Sequence, residues 1–443
     1  MLQGRGSPFS RREWDVIRTV TETGWGGRLL MVGLAAILGW GIVAYVYQLR
    51  YGLAVTAMHE YVLWGLYITN FVFFIGISHV GALMSAILRL THAEWRRPIT
   101  RMAEVITFSA LLLGAVMPIV DLGRPDRLLN MLRYGRFESP IMWDVISILT
   151  YLVGSSLFLY LPMIPDLALL RDQVPGLSQW RRRLYRVLAL NWRGTPAQHA
   201  RLERAMGVMA VLIIPIAVTV HTVVSFIFSM TLRPGWNSTI FGPYFVAGAL
   251  VSGAASVVVV MAILRRVYHL EPYLHLRHFR NLALLVLAFD LFYVYFNVAE
   301  YFTVGYKLET AEKGLLTALM GGDFALAFWL TQIGGLILPA LLLVVPQVPA
   351  VERVRRLRVL RPLPLVVATA LVALQVAAPV QSAMLRSWLY LSDPAVWLPY
   401  ALILLLGLLF LSLLPALRAH PIATYTAASL LIVVQAWVKR YLI

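Results

Sequence analysis

Long apolar runs recur along this chain, and they constrain its fold more than any other feature. An α-helix of about 20 apolar residues crosses a hydrocarbon core of about 30 Å, and most of the runs reach that length. Because 60% of the 443 residues are hydrophobic and only 13% are charged, a soluble fold has no interior large enough to bury them. We therefore predict an all-α polytopic membrane protein with about 10–11 transmembrane helices. The runs lie at 28–47, 63–90, 103–120, 140–163, 206–231, 240–264, 279–303, 325–346, 362–381, 398–416 and 421–440.

Arginine is concentrated in every second loop between these runs. It precedes the first run, follows the second, sixth and eighth, and recurs in the hydrophilic segment 164–205. Basic loops face the cytoplasm in polytopic proteins. We therefore predict a cytoplasmic amino-terminal segment at 1–27, an integral membrane domain at 28–443, and a cytoplasmic insert with an amphipathic piece at 164–205. The net charge of +17 then reflects topology, and no nucleic-acid partner is expected.

The sequence contains no cysteine. This excludes disulfides, thiolate zinc sites and an iron–sulfur cluster held by this chain alone, and we predict no metal site. Residues 1–27 lack the apolar core of a signal peptide, so no cleavable leader is predicted. The mid-span histidines are His79 and His221, which is the number that one b-type haem needs, so a haem anchor stays an alternative.

Charged residues cluster where the third run stops and the fourth begins. Asp121 and Arg124 follow one run, and Asp144 lies about one turn inside the next. Charged groups at that depth usually mark a binding or proton-handling site. The structural alternative is that Arg124 pairs with one of the two carboxylates, or that Asp121 caps its helix or pairs with Arg127.

Partly desolvated carboxylates beside an arginine can accept protons from a bound ligand. We predict that Asp121 and Asp144 accept the protons, that Arg124 orients or tunes them, and that His79 is a further hydrogen-bond partner. The predicted aromatic walls of the pocket are Tyr134, Trp143 and Trp236.

A polar stripe runs along the seventh apolar run. Its members are spaced by three, four and three residues, which places them on one face of a helix. Such a stripe indicates a hydrated or ligand-lined interior, whereas plain packing is the alternative. We predict that this stripe forms a proton path together with the histidines near mid-depth. The path would leave the membrane at the inner end of the third run. The stripe consists of Asp290, Tyr293, Asn297 and Glu300, and the predicted path adds His221 and Glu104.

Short motifs of the sequence recur in the same order in one known family. The chain resembles the integral membrane subunits of the NrfD/polysulfide-reductase family, and within it the quinol-site subunit of bacterial alternative complex III. The motifs that carry the resemblance are Trp64–Asn70, Gly76–Gly81, Thr91–Ile99, Arg101–Glu104, Gly123–Pro125, Ser139–Asp144, Ile164–Ala168, Val220–Phe226, Pro234–Trp236, Phe241–Gly248 and Val438–Leu442.

The resemblance implies a haem-free subunit built on two four-helix bundles plus peripheral helices, in the bacterial plasma membrane. It implies electron exchange between menaquinone or ubiquinone and a ferredoxin-like iron–sulfur subunit on the outer face, with proton translocation as a possible coupled activity. The partners implied are that subunit, molybdopterin-type or cytochrome subunits, other membrane subunits and the lipid bilayer.

The implied quinone site uses the residues equivalent to Asp121 and Asp144. Subunits of alternative complex III usually carry His at the position of Asp121, and a membrane anchor of a molybdopterin enzyme is therefore comparably expected. Two interpretations from other classes remain open at the level of sequence. One is a secondary transporter that uses its intramembrane carboxylates and histidines, and the other is a structural anchor that binds no quinone.

Overall fold

The chain forms an all-helical membrane protein. The computed structural model describes residues 24–56, 58, 65–174, 177–231, 234–347 and 414–442. Nine helices in these ranges are long and apolar enough to cross a membrane, which confirms the predicted fold class. The helices are α1 (Trp25–Tyr51), α2 (Leu66–Leu90), α3 (Arg97–Asp121), α4 (Leu128–Tyr134), α5 (Pro140–Gln173), α6 (Gln179–Leu188), α7 (Pro196–Ser229), α8 (Phe241–Val267), α9 (Leu276–Lys307), α10 (Thr310–Met320), α11 (Ala325–Trp329), α12 (Leu338–Val344) and α13 (Pro421–Leu442).

Nine of the predicted apolar runs coincide with these nine helices of the described ranges. The eighth contains a π-helical stretch, Leu330–Ile337, between α11 and α12. The predicted spans at 362–381 and 398–416 lie outside the described residues, apart from the last three positions of the second.

The helices on either side of the predicted cytoplasmic insert are longer than their apolar runs. α5 continues to Gln173 although it contains Pro162 and Pro165, and α7 begins at Pro196 behind a capping box made by Thr195. The connection is therefore confined to 174–195. It contains the amphipathic helix α6, as predicted.

The chain divides into two compact units, Met1–Ile337 with Ser429–Ile443, and Leu338–Ala428. Within the first unit, α2, α3, α5 and α7 pack on one another as a four-helix bundle, and α8 packs on both α2 and α9. The carboxyl-terminal part of α13, from Ser429 onwards, also belongs to this unit. The second unit contributes α12 and the beginning of α13 to the described residues.

Helix α2 lies at the centre of the first unit, because glycines let it approach its neighbours closely. A methyl group at Gly81 would overlap the carbonyl oxygen of Ala103 in α3, and one at Gly253 in α8 would come within 2.7 Å of Val80. Small residues at helix contacts are the usual basis of tight packing in membranes. By contrast, the most apolar 18-residue stretch of α1 has no residue buried against the described part of the protein.

Candidate functional site

Two carboxylates lie at one end of the four-helix bundle. Asp121 is the last residue of α3 and Asp144 is in the second turn of α5, at the end that the loop charges predict to be outer. Among the described residues, each has one buried carboxylate oxygen without a hydrogen-bond partner. An unsatisfied buried acceptor is unfavourable by about 1–3 kcal/mol, so these two oxygens are poised to accept a proton or a ligand hydroxyl.

Arg124 pairs with neither Asp121 nor Asp144 in the described residues, so the salt bridge that was the structural alternative is not observed, and its predicted orienting or tuning role stays a prediction. Its Nε and Nη2 each donate to Asp126 at 3.0 Å, and the guanidinium is 64% exposed. The two residues flank Pro125 in a short turn, so the pair forms locally with little ordering of the chain. The hydrogen bond from Arg124 lowers the pKa of Asp126 below its usual value.

The predicted aromatic walls separate into two groups. Tyr134 is 69% exposed beneath the guanidinium of Arg133, and Trp143 is 48% exposed with its indole N–H donating to the carbonyl oxygen of Phe137 at 2.5 Å. Both side chains are exposed in the described part of the chain, and their role as pocket walls stays a prediction. Trp236 is buried and packs edge-on against Phe228.

A hydrogen-bonded cluster next to Asp121 was missed by the sequence reasoning. Tyr67 of α2 donates to Gln48 Oε1 at 2.5 Å, and Gln48 donates to the carbonyl oxygen of Val120 at 2.9 Å. Tyr67 also lies close enough to Asp121 to interact with it electrostatically. Gln48 is the one buried residue described in α1, so an amide in an otherwise lipid-facing helix was the available signal.

His79 and His221 meet inside the bundle. Both are fully buried, and their ring centroids are 3.9 Å apart. His221 Nδ1 lies 3.3 Å from the carbonyl oxygen of Ala217, whereas neither ring nitrogen of His79 has a partner among the described residues. The sequence placed both at mid-depth, and the structure adds their contact.

The four residues of the predicted stripe share the buried face of α9, as expected. Asp290 is 0% exposed, and its two oxygens have no hydrogen-bond partner in the described part of the chain. Asn297 is bonded to Gln332 in the π-helical stretch at 2.5 Å, and Glu300 accepts from Ser238 at 2.7 Å. The hydrogen bonds therefore join the outer part of the stripe to its neighbours and leave Asp290 separate.

Glu104 lies at the opposite end of the bundle, as predicted. Arg101 stands 3.7 Å from its Oε2 and 3.3 Å from Asp166 of α5, and it also donates to the carbonyl oxygen of Pro162. Arg101 thus ties α3 to α5 at this end.

A cavity of about 80 Å³ opens beside Trp236 at the same end as Asp121. It is enclosed by the amino-terminal parts of α2 and α8, by the ends of α7 and α13, and by α9. Most of its walls are aromatic or aliphatic. Two basic residues of α13 complete the lining. The lining residues are Ile68, Thr69, Val72, Phe228, Trp236, Phe241, Tyr244, Phe245, Gly248, Tyr293, Lys439 and Arg440.

Lys439 is only 2% exposed and is held by neutral groups. Its Nζ donates to Asn297 Oδ1 at 3.0 Å and to the Tyr301 hydroxyl at 2.5 Å, while Tyr244 donates to the same Asn297 oxygen at 2.9 Å. The sequence analysis noted the Lys439–Arg440 pair but gave it no role. Two cations inside an apolar helix are a signal for a functional site.

Buried carboxylates without hydrogen-bond partners at the end of a membrane helix bundle are typical of polytopic proteins that handle protons or polar ligands near the bilayer surface. Within the described ranges, no group of three or more His, Cys, Asp or Glu side chains is placed to hold a metal ion.

The comparison with known families is specific. The family described as Polysulphide reductase, NrfD matches residues 54–360, and the chain belongs to this family. The chain is 30% identical over 324 residues to a putative dimethyl sulfoxide reductase membrane subunit of Halobacterium salinarum, covering 72% of this chain and 70% of that protein.

Two further relatives match over a comparable share of the chain at lower identity. A selenate reductase subunit of Mesobacillus selenatarsenatis is 26% identical over 69% of this chain and 72% of its own length. The Hdr-like menaquinol oxidoreductase integral membrane subunit of Archaeoglobus fulgidus is 24% identical over 72% and 71%.

Proposed function

We propose that this chain is the membrane subunit of a respiratory oxidoreductase and binds a quinone near the membrane face at which α3 ends and α5 begins. The observation that carries the proposal is the buried carboxylate oxygen of Asp144, which has no partner among the described residues and lies at the same end of the bundle as Asp121. The names of the relatives support it, since two are subunits of reductases and one is a subunit of a menaquinol oxidoreductase. We expect menaquinone or ubiquinone as the substrate.

The proposed reaction assigns one proton to each carboxylate. A quinol gives up two protons and two electrons when it becomes a quinone, and each of its hydroxyl groups can donate a hydrogen bond to a carboxylate oxygen. Asp144 and Asp121 accept the protons as the O–H bonds break, and Tyr67 and Gln48 hold the region around Asp121 in place. The electrons pass to a redox centre outside this chain, since the sequence has no cysteine to ligate a cluster.

The connection between α3 and α5 is the proposed docking surface for that redox partner. Arg124, Arg127, Arg133 and Arg136 are exposed there, beside the proposed quinone site. A basic surface favours an acidic partner and speeds its encounter. We propose a ferredoxin-like iron–sulfur subunit with acidic residues on its docking face, on the outer side of the membrane, with the amino terminus of this chain in the cytoplasm.

The predicted proton path stays a proposal with a revised course. Asn297 and Glu300 belong to the hydrogen-bonded outer part, while Asp290 and the His79–His221 contact lie deeper without direct bonds between them in the described part of the chain. Buried water between these groups would be needed to complete a path to Glu104.

The haem-anchor alternative fits the geometry poorly. Two imidazoles that ligate one haem iron stand on opposite faces of the porphyrin, whereas the rings of His79 and His221 are in contact with each other.

Isolation of the tagged chain from its native membrane tests the proposal. We expect it to co-purify with a cysteine-rich iron–sulfur subunit, and the complex to exchange electrons with a soluble menaquinol analogue. A chain that purifies alone and catalyses solute uptake in proteoliposomes would contradict the proposal and favour a transporter.

A further inference from the structure

Six aromatic side chains line the cavity beside Trp236. The rings of Phe228 and Phe245 stack at a centroid distance of 6.3 Å with 27° between their planes, and those of Tyr244 and Tyr293 stack at 5.1 Å and 9°. The volume of about 80 Å³ is several times the ~10–15 Å³ that a single water requires. Walls of this kind suit a planar ring better than a tetrahedral group such as phosphate.

Arg440 supplies a permanent positive charge to the same cavity. Its Nη1 donates to the carbonyl oxygen of Ala436 at 2.7 Å and its Nη2 lies 3.5 Å from Ser252 Oγ. A guanidinium carries five N–H donors and stays protonated in proteins, so further donors remain for a ligand. Gly76 of α2 makes room for it, since a methyl group there would come within 2.7 Å of Nη2.

Neither basic residue of the cavity is neutralised by a carboxylate. In the part of the chain that the structure describes, the ion pairs include none with Lys439 or Arg440. Glu300 interacts with Lys439 electrostatically but does not line the cavity. A buried charge without an ion-pair partner is unfavourable, so a ligand that brings acceptor oxygens would be stabilised here.

The cavity and the carboxylate site have opposite hydrogen-bonding character. Asp121 and Asp144 offer acceptors, which match the two hydroxyl donors of a quinol. Arg440 and Lys439 offer donors, which match the two carbonyl acceptors of a quinone. We propose that the Trp236 cavity is a second headgroup site that binds the oxidised quinone, with Arg440 donating to one of its carbonyl oxygens.

Helix α2 separates the two sites. On one face of α2, Tyr67 contacts the carboxylate side through Gln48. The next two residues, Ile68 and Thr69, line the cavity, because successive residues of a helix are rotated by about 100° around its axis. The product of quinol oxidation therefore has a site of matching polarity on the other side of one helix. This inference rests on the proposed quinone chemistry and adds a second position to it.

Photolabelling of the purified complex tests this proposal. The probes are a short-chain azidoquinone and, in a parallel sample, the corresponding quinol, with the labelled peptides identified by mass spectrometry. We expect the oxidised probe to label the segment 228–248 or the end of α13, and the quinol to label the region of Asp121 and Asp144. Arg440→Gln should reduce labelling of the cavity by the oxidised probe about tenfold or more, because a charge-assisted hydrogen bond is lost.

Two further variants keep the test informative if Arg440→Gln folds poorly. Val72→Phe fills the cavity from α2 without changing any charge and should also abolish labelling there. Arg28→Gln makes the same substitution at an exposed arginine of α1 and should leave labelling unchanged.

The outcomes separate the two proposals. Labelling by the oxidised probe that is confined to 121–144, or that persists at the cavity in both Arg440→Gln and Val72→Phe, would overturn the second site and leave the quinone proposal standing. Absence of specific labelling by either probe at either place would contradict the proposed function itself.

Discussion

The two polar regions on either side of α2 carry side chains of opposite type, and each lacks an ion-pair partner for them in the described residues. On the side of α3 and α5, Asp121 and Asp144 are carboxylates without a basic partner among the described residues, because the nearby Arg124 is occupied by Asp126. On the side of α8, α9 and α13, Lys439 and Arg440 are basic side chains without a paired carboxylate in the same ranges. Charges of opposite sign therefore stand within one unit and are kept apart by one helix.

This difference indicates that neither region is stabilised by ion pairing within the part of the chain that the structure describes. A protein selected only for stability would place such groups together or replace them, because an unpaired buried charge is strongly unfavourable. Keeping them apart leaves acceptors at one site and donors at the other, which matches the two redox forms of the quinone in the proposals above.

The largest expected effect comes from forcing α2 away from α3. Gly81→Ala introduces a methyl group that overlaps the backbone of α3, so the helices must separate and both regions lose their geometry. We expect either loss of the assembled complex or a lower melting temperature, corresponding to a decrease of about 1–3 kcal/mol or more in the free energy of unfolding. Thermal unfolding in detergent, with size-exclusion chromatography, measures it.

The matched control is Gly33→Ala in α1, where a methyl group meets nothing within 4 Å. It should leave the melting temperature unchanged. Equal stability of the Gly81→Ala and Gly33→Ala variants would show that the close approach of α2 and α3 is not needed.

A smaller effect is expected from Asp290→Asn, which removes an ionisable group from the deep part of α9 and retains its shape. Because Asp290 belongs neither to the carboxylate site nor to the lining of the Trp236 cavity, quinol binding should be retained while proton movement is impaired. The proton-to-electron ratio of the complex in proteoliposomes measures this. An unchanged ratio would remove Asp290 from the path, and Asp323→Asn, at an exposed position, is the control.

The smallest effect is expected from Asp126→Asn, which frees Arg124 without touching either polar region. Turnover at pH 7 should stay the same, and arginine-selective modification of Arg124 should increase. Because the pKa of Asp126 lies below its ordinary value of about 3.9, the pair in the unmodified protein should persist through mild acid and be lost only as the pH falls below that value. A large loss of turnover in this variant would show that the Arg124–Asp126 pair contributes to the site.

Much of the fold was predictable from the sequence because hydropathy reports directly on membrane spans. The positions of Asp121, Asp144 and Glu104 at the ends of helices followed from the same runs, and the stripe on α9 followed from helical periodicity. These features are local to one segment each.

What the sequence did not reveal depends on contacts between distant segments. The bond from Lys439 to Asn297 joins residues 142 positions apart, and the contact of His79 with His221 joins two different helices. The pairing of Arg124 with Asp126, which the sequence reasoning did not consider, has a local cause. Its partner two residues away competes better than a carboxylate on another helix, and spacing within an irregular turn gives no periodic signal.

Quinol oxidation by the Asp144→Asn variant of the assembled complex tests the central claim most directly. Asn keeps the shape of the side chain but cannot accept the proton, so we expect turnover to fall by about 100-fold or more with assembly intact. Asp172→Asn, at the exposed far end of the same helix, should retain normal turnover. Turnover close to that of the unmodified complex in Asp144→Asn would contradict the proposed role of this carboxylate.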